Sequence, residues 1–389
     1  MKPDRFLCLE DFERAARRHL PHPLFEYVSG GVEDNRSRSG NREAFNDWSF
    51  VPRMMRDIST RSSQCSLWDQ SWAAPFGMAP MGISALTAYR GDQVLAQAAQ
   101  QGQIPMIMSG SSLIPLEDIA HTNPQAWFQA YLPGRLPEIE ALIDRVARAG
   151  FGTLVITVDT PASANRENNL RAGFSTPLRP SLRLAWQGLS HPRWLLGTFA
   201  RTLLTHGMPH FENNAATRGA PIVSRTVERD MASRGHFTWA HLRRIRQQWP
   251  GRLVVKGILH EDDACHARDA GADGIIVSNH GGRQLDGAVS PLRVLPGIVA
   301  ACPDIAVMMD SGVRRGTDVL MALALGAQMV FVGRPFNYAA AVGGLPGANR
   351  AVDLLQQEIL RGMAMLGINR LDELSSALLW PLADASAQK

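Results

Sequence analysis

The sequence predicts an α/β chain folded as a TIM (β/α)8 barrel, with an N-terminal helical leader and a long insertion after the fourth strand. Three observations carry that expectation. From residue 75 onward a short apolar run is followed by an amphipathic stretch of helical period, and this unit recurs eight times. The runs end in polar residues, as the strands of a barrel do where their carboxyl ends form a site. Gly-rich segments bearing arginines follow the seventh and eighth runs, the common phosphate-binding place of this fold. A doubly wound open sheet is the competing arrangement, but no GxGxxG follows an early strand, which removes its main support.

Residues 1–74 read as the leader, with a helix expected from Asp11 to His19 and a turn between helices in FEYVSGGVEDNRS, where paired glycines meet polar residues. The barrel is expected over 75–376. Its strands are PFGMAP (75–80), PMIMS (105–109), AWFQAY (126–131), TLVITVD (153–159), RLVVKG (252–257), GIIVSN (274–279), IAVMMD (305–310) and QMVFVGR (328–334). The clearest helices are GDQVLAQAAQQ, LPEIEALIDRVARAG, HEDDACHARDAG and GTDVLMALALG, several of them closed by a C-cap glycine. Residues 170–236 are an insertion far beyond the usual βα loop of about 2 to 6 residues. In it Arg179, Arg183, Arg193 and Arg201 alternate with Trp186, Trp194, Leu195, Leu196 and Phe199, and acidic residues return only from Glu212. That mixture suits an anionic membrane surface, and a solvated lid suits it equally well. Residues 377–389 read as a C-terminal tail.

Composition sets outer limits. The 389 residues are 45% hydrophobic and 20% charged, which argues against disorder, collagen and a disulfide scaffold. A formal charge of +4 does not by itself indicate a nucleic-acid partner, and none is expected. Cys8, Cys65, Cys265 and Cys302 stand far apart without metal-ligand spacing, so no metal site is expected and a reducing, cytoplasmic setting fits. The N-terminal segment lacks a signal-peptide core, and no run of about 18 apolar residues is present to span a bilayer.

The chemistry is expected at the strand ends: Ser109, Gln129 and Tyr131, Thr157 and Asp159, Lys256, Ser278 with Asn279 and His280, and Asp310. A lone Ser or Thr there is most often a hydroxyl bonded to backbone, but the shared rim position favours a site. In SNHGGRQLD, His280 and Arg283 flank two glycines, a tight turn that sets a base beside a fork able to hold a carboxylate. Asp159 would orient that imidazole if the strand ends converge; the plainer reading is a loop cap. Arg166 is a second carboxylate ligand or a surface ion pair. Lys256 ends an apolar strand, where a cation needs an anion or an electron-rich ring. MDSGVRRGTD and VGRP supply Arg314 and Arg334 for a phosphate, whether of a flavin or of a substrate.

Taken together, SNHGGRQLD, DSGVRRGTDVLMALALGA, LVVKG, ITVDTP, WFQAY and YVSGGVED resemble the FMN-dependent 2-hydroxy-acid oxidase and dehydrogenase family over nearly the whole chain. The insertion, with HPRW and HGMP, is more similar to the membrane-associated branch of mandelate dehydrogenase and respiratory lactate dehydrogenase than to soluble glycolate oxidase. The resemblance implies FMN as cofactor, His280 as base with Asp159 as its partner, and Arg283, Arg166, Tyr27 and Tyr131 as substrate contacts. It implies Lys256 at the flavin N1 and O2 edge, and Ser109, Gln129, Thr157 and Ser278 bonding the isoalloxazine. Backbone from Pro80 through Met81 to Gly82 would face the ring, although many relatives have Thr where this chain has Met81. Asp310, Gly312, Arg314, Gly333 and Arg334 would hold the ribityl phosphate. The implied reaction is oxidation of an L- or S-2-hydroxy acid, mandelate-like first and lactate second, to the 2-oxo acid. Electrons would pass to a quinone-type acceptor, in a homo-tetramer attached peripherally to the inner face of the cell membrane through 177–215. The alternatives are a soluble oxidase that reduces O2 to H2O2 and, more distantly, an FMN-barrel isomerase or a flavin-binding paralogue without turnover.

Overall fold

The computed structural model describes residues 3–174, 181–224 and 235–382. Eight parallel strands form the barrel: β1 (Phe76–Met78), β2 (Ile107–Ser109), β3 (Trp127–Ala130), β4 (Thr153–Thr157), β5 (Arg252–Ile258), β6 (Gly274–Val277), β7 (Ala306–Met309) and β8 (Met329–Val332). Each pairs with its sequence neighbour from β2 to β8, and β8 returns to β1. A single parallel bridge, Met78 to Met106, closes the ring. The eight apolar runs are thus the eight strands of one (β/α)8 barrel.

Alternation along these strands builds the site. Ile107, Trp127, Val155, Val254, Ile276 and Met308 belong to one buried cluster in the lower barrel interior. Two residues further on, the same face carries Ser109, Gln129, Thr157, Lys256, Ser278 and Asp310, because side chains on a strand return to one face with period two. The lower layer is closed by a hairpin, Cys65–Leu67 paired with Gln70–Trp72, whose Leu67 and Trp72 join that cluster. The intervening strand residues face the helices. In the helix Leu136–Arg148, the buried Ile139, Leu142, Ile143 and Val146 follow the i, i+3, i+4, i+7 stripe that such a face requires.

The leader is helical only in its first half. Helices span Leu9–His19, His22–Ser29 and Arg36–Glu43, and the chain then turns to strand: Trp48–Phe50 pairs antiparallel with Leu379–Pro381, followed by the hairpin under the barrel. The expected tail therefore begins as an ordered strand bound to the leader. FEYVS completes the second helix, and Gly30 ends it.

Within the described part of the insertion, helix runs over Leu182–Leu189 and from Pro192 to His206, and 207–224 is irregular with one antiparallel bridge, His210 to Pro221. Trp194 is buried and donates from Nε1 to the Leu86 carbonyl at 2.8 Å, and its ring stacks on Phe199. Arg201 lies 3.8 Å over the Tyr89 ring. Of the apolar residues singled out in the sequence, Trp194, Leu195 and Phe199 therefore pack on the barrel, whereas Trp186 and Leu196 face outward with Leu182, Leu189 and Leu204. Arg179 lies outside the described residues, as do 177–180 of the expected membrane segment. No helix among the described residues is long and apolar enough to cross a membrane.

Candidate active site

A cavity of about 320 Å³ opens at the carboxyl ends of the strands, lined among others by Tyr27, Tyr131, Arg166, Lys256, His280 and Arg283. His280 Nδ1 lies 2.9 Å from Asp159 Oδ1, and the Tyr131 hydroxyl is 3.4 Å from Nε2 on the other side of the ring. The imidazole is thus held by a carboxylate behind it and aimed into the cavity. Burial, the larger influence, pushes the imidazole below its usual range, and Asp159 offsets this only in part. Burial also opposes the charge on Asp159, but His280 and Lys256 outweigh it and hold the carboxyl below the usual carboxylate range.

Arg283 donates to the Gly30 carbonyl at 2.8 Å and lies 5.2 Å over the Tyr27 ring, so the leader shapes this wall of the cavity. Arg166 donates from Nε to the Arg283 carbonyl at 3.1 Å and from Nη2 to Gln284 at 2.6 Å, and both arginines line the cavity. Lys256 is buried, yet its amine pairs with Asp310 at 3.0 Å and donates to Ser278 Oγ at 2.8 Å. Burial disfavours its charge, and Asp310 with Asp159 more than restores it, so its pKa is raised. A cation is therefore held at the barrel axis in a low-dielectric site.

At the far end of the cavity Gly312, Arg314, Gly333 and Arg334 converge, with Gly333 capping the helix that begins at Arg334. Burial lowers the pKa of both arginines, and Arg283 lowers Arg334 further. Gly312 holds φ +84°, and a Cβ there would meet the Asn41 carbonyl at 2.4 Å. Arg334 is buried and donates to the carbonyls of Val28, Gly281 and Gly30, so its charge stays without a counter-ion among the described contacts, and positive charge at a helix N-terminus favours an anion. Near the axis, Gln129 is fully buried and its Nε2 finds no hydrogen-bond partner among the described residues, an orphaned donor one layer behind the cavity wall that a polar ring would satisfy.

Pro80, Met81, Gly82 and Thr157 also line the cavity, whereas Ser109, Gln129, Ser278 and Asp159 stand one layer behind its wall. Ser109 donates to Gln129 Oε1 at 3.2 Å, and Ser278 accepts from Lys256 and from the His280 amide. The sequence reading passed over Ser111, Ser311, Asn41 and Arg42. Ser111 lines the cavity, and Ser311 lines it too while accepting from the Gly281 amide at 2.9 Å. Arg42 reaches the Gly312 carbonyl and Asp318 from the leader. The serines stand beside named residues in the motifs, but Asn41 and Arg42 carry no signal of their own in a polar helix.

Such a rim, an imidazole held by a carboxylate, Arg166 and Arg283 lining the same cavity, a buried cation on the barrel axis and glycine-rich loops bearing arginines, belongs to an α/β barrel whose donor set fits a phosphate-bearing flavin. The model of the FMN-dependent dehydrogenase family matches residues 16–381, and the chain belongs to that family. It is 36% identical over 369 residues to (S)-mandelate dehydrogenase of Pseudomonas putida, covering 94% of this chain and 92% of that one. It is 37% identical over 378 residues to an L-lactate dehydrogenase of a Caulobacter species, covering 95% and 97%. Among solved structures it superimposes on a monotopic membrane protein, (S)-mandelate dehydrogenase, with a TM-score of 0.88 at 35% identity, over 97% of this chain and 99% of that one. A mandelate oxidase structure gives 0.78 at 32% identity, over 95% and 97%. The protein is thus an FMN-dependent dehydrogenase by family, and FMN is its cofactor.

Proposed function

We propose that the protein oxidises an L- or S-2-hydroxy acid to the 2-oxo acid, a mandelate-like aryl hydroxy acid before lactate. The observation that carries this is the His280 imidazole, 2.9 Å from Asp159 and within 3.4 Å of Tyr131, in one cavity with Arg166 and Arg283. Arg283 and Arg166 would receive the substrate carboxylate, and Tyr27 and Tyr131 would contact the acid and its hydroxyl. His280 Nε2 would take the proton, and Asp159 would stabilise the imidazolium that results. FMN, when bound, supplies the two-electron acceptor.

In this reading backbone 80–82, Ser109, Gln129, Thr157 and Ser278 surround the ring, and Lys256 stabilises negative charge on it. Gly312, Arg314, Gly333 and Arg334 hold the phosphate. Asp310 is reassigned within that group: its carboxylate already pairs with Lys256 and would repel a phosphate, so it suits a ribityl hydroxyl instead. Ser278 likewise serves the ring through Lys256, whose amine it accepts.

The acceptor is proposed to be a quinone reached from a membrane surface, supported by the outward Leu182, Trp186, Leu189, Leu196 and Leu204 of the insertion and by the monotopic relative. Transfer to O2 with release of H2O2 is the second reading, favoured by the likeness to mandelate oxidase. Anaerobic mixing of the holoenzyme with a panel of 2-hydroxy acids tests the main reading. Bleaching of the flavin band by an aryl hydroxy acid is expected, and no bleaching by any member overturns it. Reoxidation by a soluble quinone analogue against O2 then separates the two acceptors.

A further inference from the structure

The loop that carries His280 has an unusual backbone. His280, Gly281 and Gly282 hold φ values of +59°, +68° and +72°, three successive residues in the left-handed region. Glycine adopts it freely, but a residue with a Cβ is strained there and stays only where its surroundings over-determine it. Each of the three amides meets a side-chain oxygen: His280 N–H donates to Ser278 Oγ at 3.0 Å, Gly281 N–H to Ser311 Oγ at 2.9 Å, and Gly282 N–H is shared between Asn279 Oδ1 at 3.1 Å and the Asn279 carbonyl at 3.0 Å.

Asn279 is itself fixed from outside the barrel. Asn41, in the leader helix Arg36–Glu43, donates from Nδ2 to Asn279 Oδ1 at 2.8 Å, and Asn279 Nδ2 donates back to Asn41 Oδ1 at 2.7 Å. Both side chains are buried, so the two amides form a closed reciprocal pair away from water. Asn279 Nδ2 also reaches the Val289 carbonyl at 3.2 Å. With both its donor and its acceptor engaged by Asn41, the Asn279 amide has one orientation, in which Oδ1 faces the Gly282 amide. The same helix abuts the loop from the other side, since a Cβ on Gly282 would meet the Arg38 backbone nitrogen at 2.5 Å.

We propose that Asn41 is a positioning residue for His280: through Asn279 it holds the left-handed turn that aims the imidazole between Asp159 and the cavity. Asn41 does not line the cavity; its side-chain amide reaches His280 through Asn279, while its backbone carbonyl packs against Gly312 and is kept in a side-chain substitution. An aspartate at 41 keeps an oxygen that accepts from Asn279 Nδ2 but loses the donor to Asn279 Oδ1, whereas alanine loses both.

This inference rests on the assignment of His280 as base, and a double-variant cycle tests it on the FMN-loaded enzyme. The rate of anaerobic flavin reduction at saturating hydroxy acid should fall about 10- to 100-fold in Asn41→Ala, as misplacement of a reacting group does, with the substrate Kd within about twofold. In a His280→Ala background the same substitution should change the residual rate by less than about twofold, because two residues acting as one unit are not additive. A fall of equal size in both backgrounds, or none in either, overturns the proposal. If Asn41→Ala does not retain FMN, Asn41→Asp replaces it in the cycle and should show a smaller fall with the same dependence on His280. A crystal structure of the Asn41 variant reads the φ of residue 280 directly. Loss of the left-handed value is expected, and an unchanged turn counts against the proposal even if no hydroxy acid reduces the wild-type flavin.

Discussion

Burial disfavours the charged form of His280 while Asp159 keeps the ring oriented, the state that its proposed role as base requires. Replacing it with Gln should leave FMN bound and lower the rate of substrate-driven flavin reduction by about 100- to 10,000-fold, the span of a lost general base. Stopped-flow absorbance of the flavin band measures this, and a near-normal rate removes His280 from the role. The direction of the pKa shift sets the pH profile. A base must be neutral, and a lowered pKa keeps it neutral down to a lower pH, so kcat/KM should be flat around pH 7 and lost only as pH falls below the ordinary histidine value of about 6.5. An acid limb centred above that value contradicts the burial argument. Gly312 offers a residue-scale test of the anion cradle. With φ +84° and the Asn41 carbonyl 2.4 Å from any Cβ, Gly312→Ala must displace the loop, and FMN affinity read by flavin fluorescence should fall. Unchanged affinity would take this loop out of phosphate binding.

The insertion divides into two faces. One is fastened to the barrel by Trp194 on the Leu86 carbonyl and by Asn213, which accepts from the Leu116 amide at 2.9 Å and donates to the Ile114 carbonyl at 2.8 Å. The other leaves Leu182, Trp186, Leu189, Leu196 and Leu204 outward, near Arg183 and Arg193. Removing 177–215 entirely would also remove the fastening residues, so changing the outer face alone is the cleaner experiment. Converting Leu182, Trp186, Leu189 and Leu204 to Ser should release the protein from anionic vesicles while flavin reduction persists, because none of the four lines the active-site cavity. Association of the unaltered protein should weaken as salt rises through its electrostatic component. Co-sedimentation decides this. If the unaltered protein stays in the supernatant at low salt, the outer face has another purpose and the oxygen-dependent reading gains.

For the whole molecule, cofactor and fold are linked. Arg334 is buried and Arg314 half-buried at the proposed phosphate end, and Arg283 adds to the crowding of charge on Arg334. A bound phosphate would relieve that repulsion only in the folded chain. FMN should therefore stabilise by about 4 kcal/mol at a concentration 1,000 times its Kd, and Tm should climb with each increase in FMN. Thermal unfolding of apo and titrated protein reads the effect, and a Tm indifferent to FMN would show that the cradle holds no anion. The leader belongs to the same linkage, since Asn41 and Arg42 brace the His280 and Gly312 loops.

The barrel was legible in the sequence because its signal is local. A strand buried on both faces must be a continuous apolar run, and a helix covering it must show a stripe of period 3.6, so composition and spacing alone mark the eight units. The polar rim was legible for the same reason: Lys256 or Asp310 at the end of an apolar run breaks a pattern that burial would otherwise enforce. A leader helical throughout does not hold past Glu43, because Trp48–Phe50 is a strand only by virtue of its distant partner Leu379–Pro381, and Cys65–Trp72 is a local hairpin whose Leu67 and Trp72 are fixed against the barrel floor. Nor do single residues say which side of an inserted helix faces a barrel, so Trp194 and Trp186 looked alike until one was found buried and the other exposed. Asn41 was silent because its meaning lies in Asn279, 238 residues away. Residue type and period are written into neighbouring positions, whereas hydrogen-bond partners and burial are decided only when the chain brings remote segments into contact.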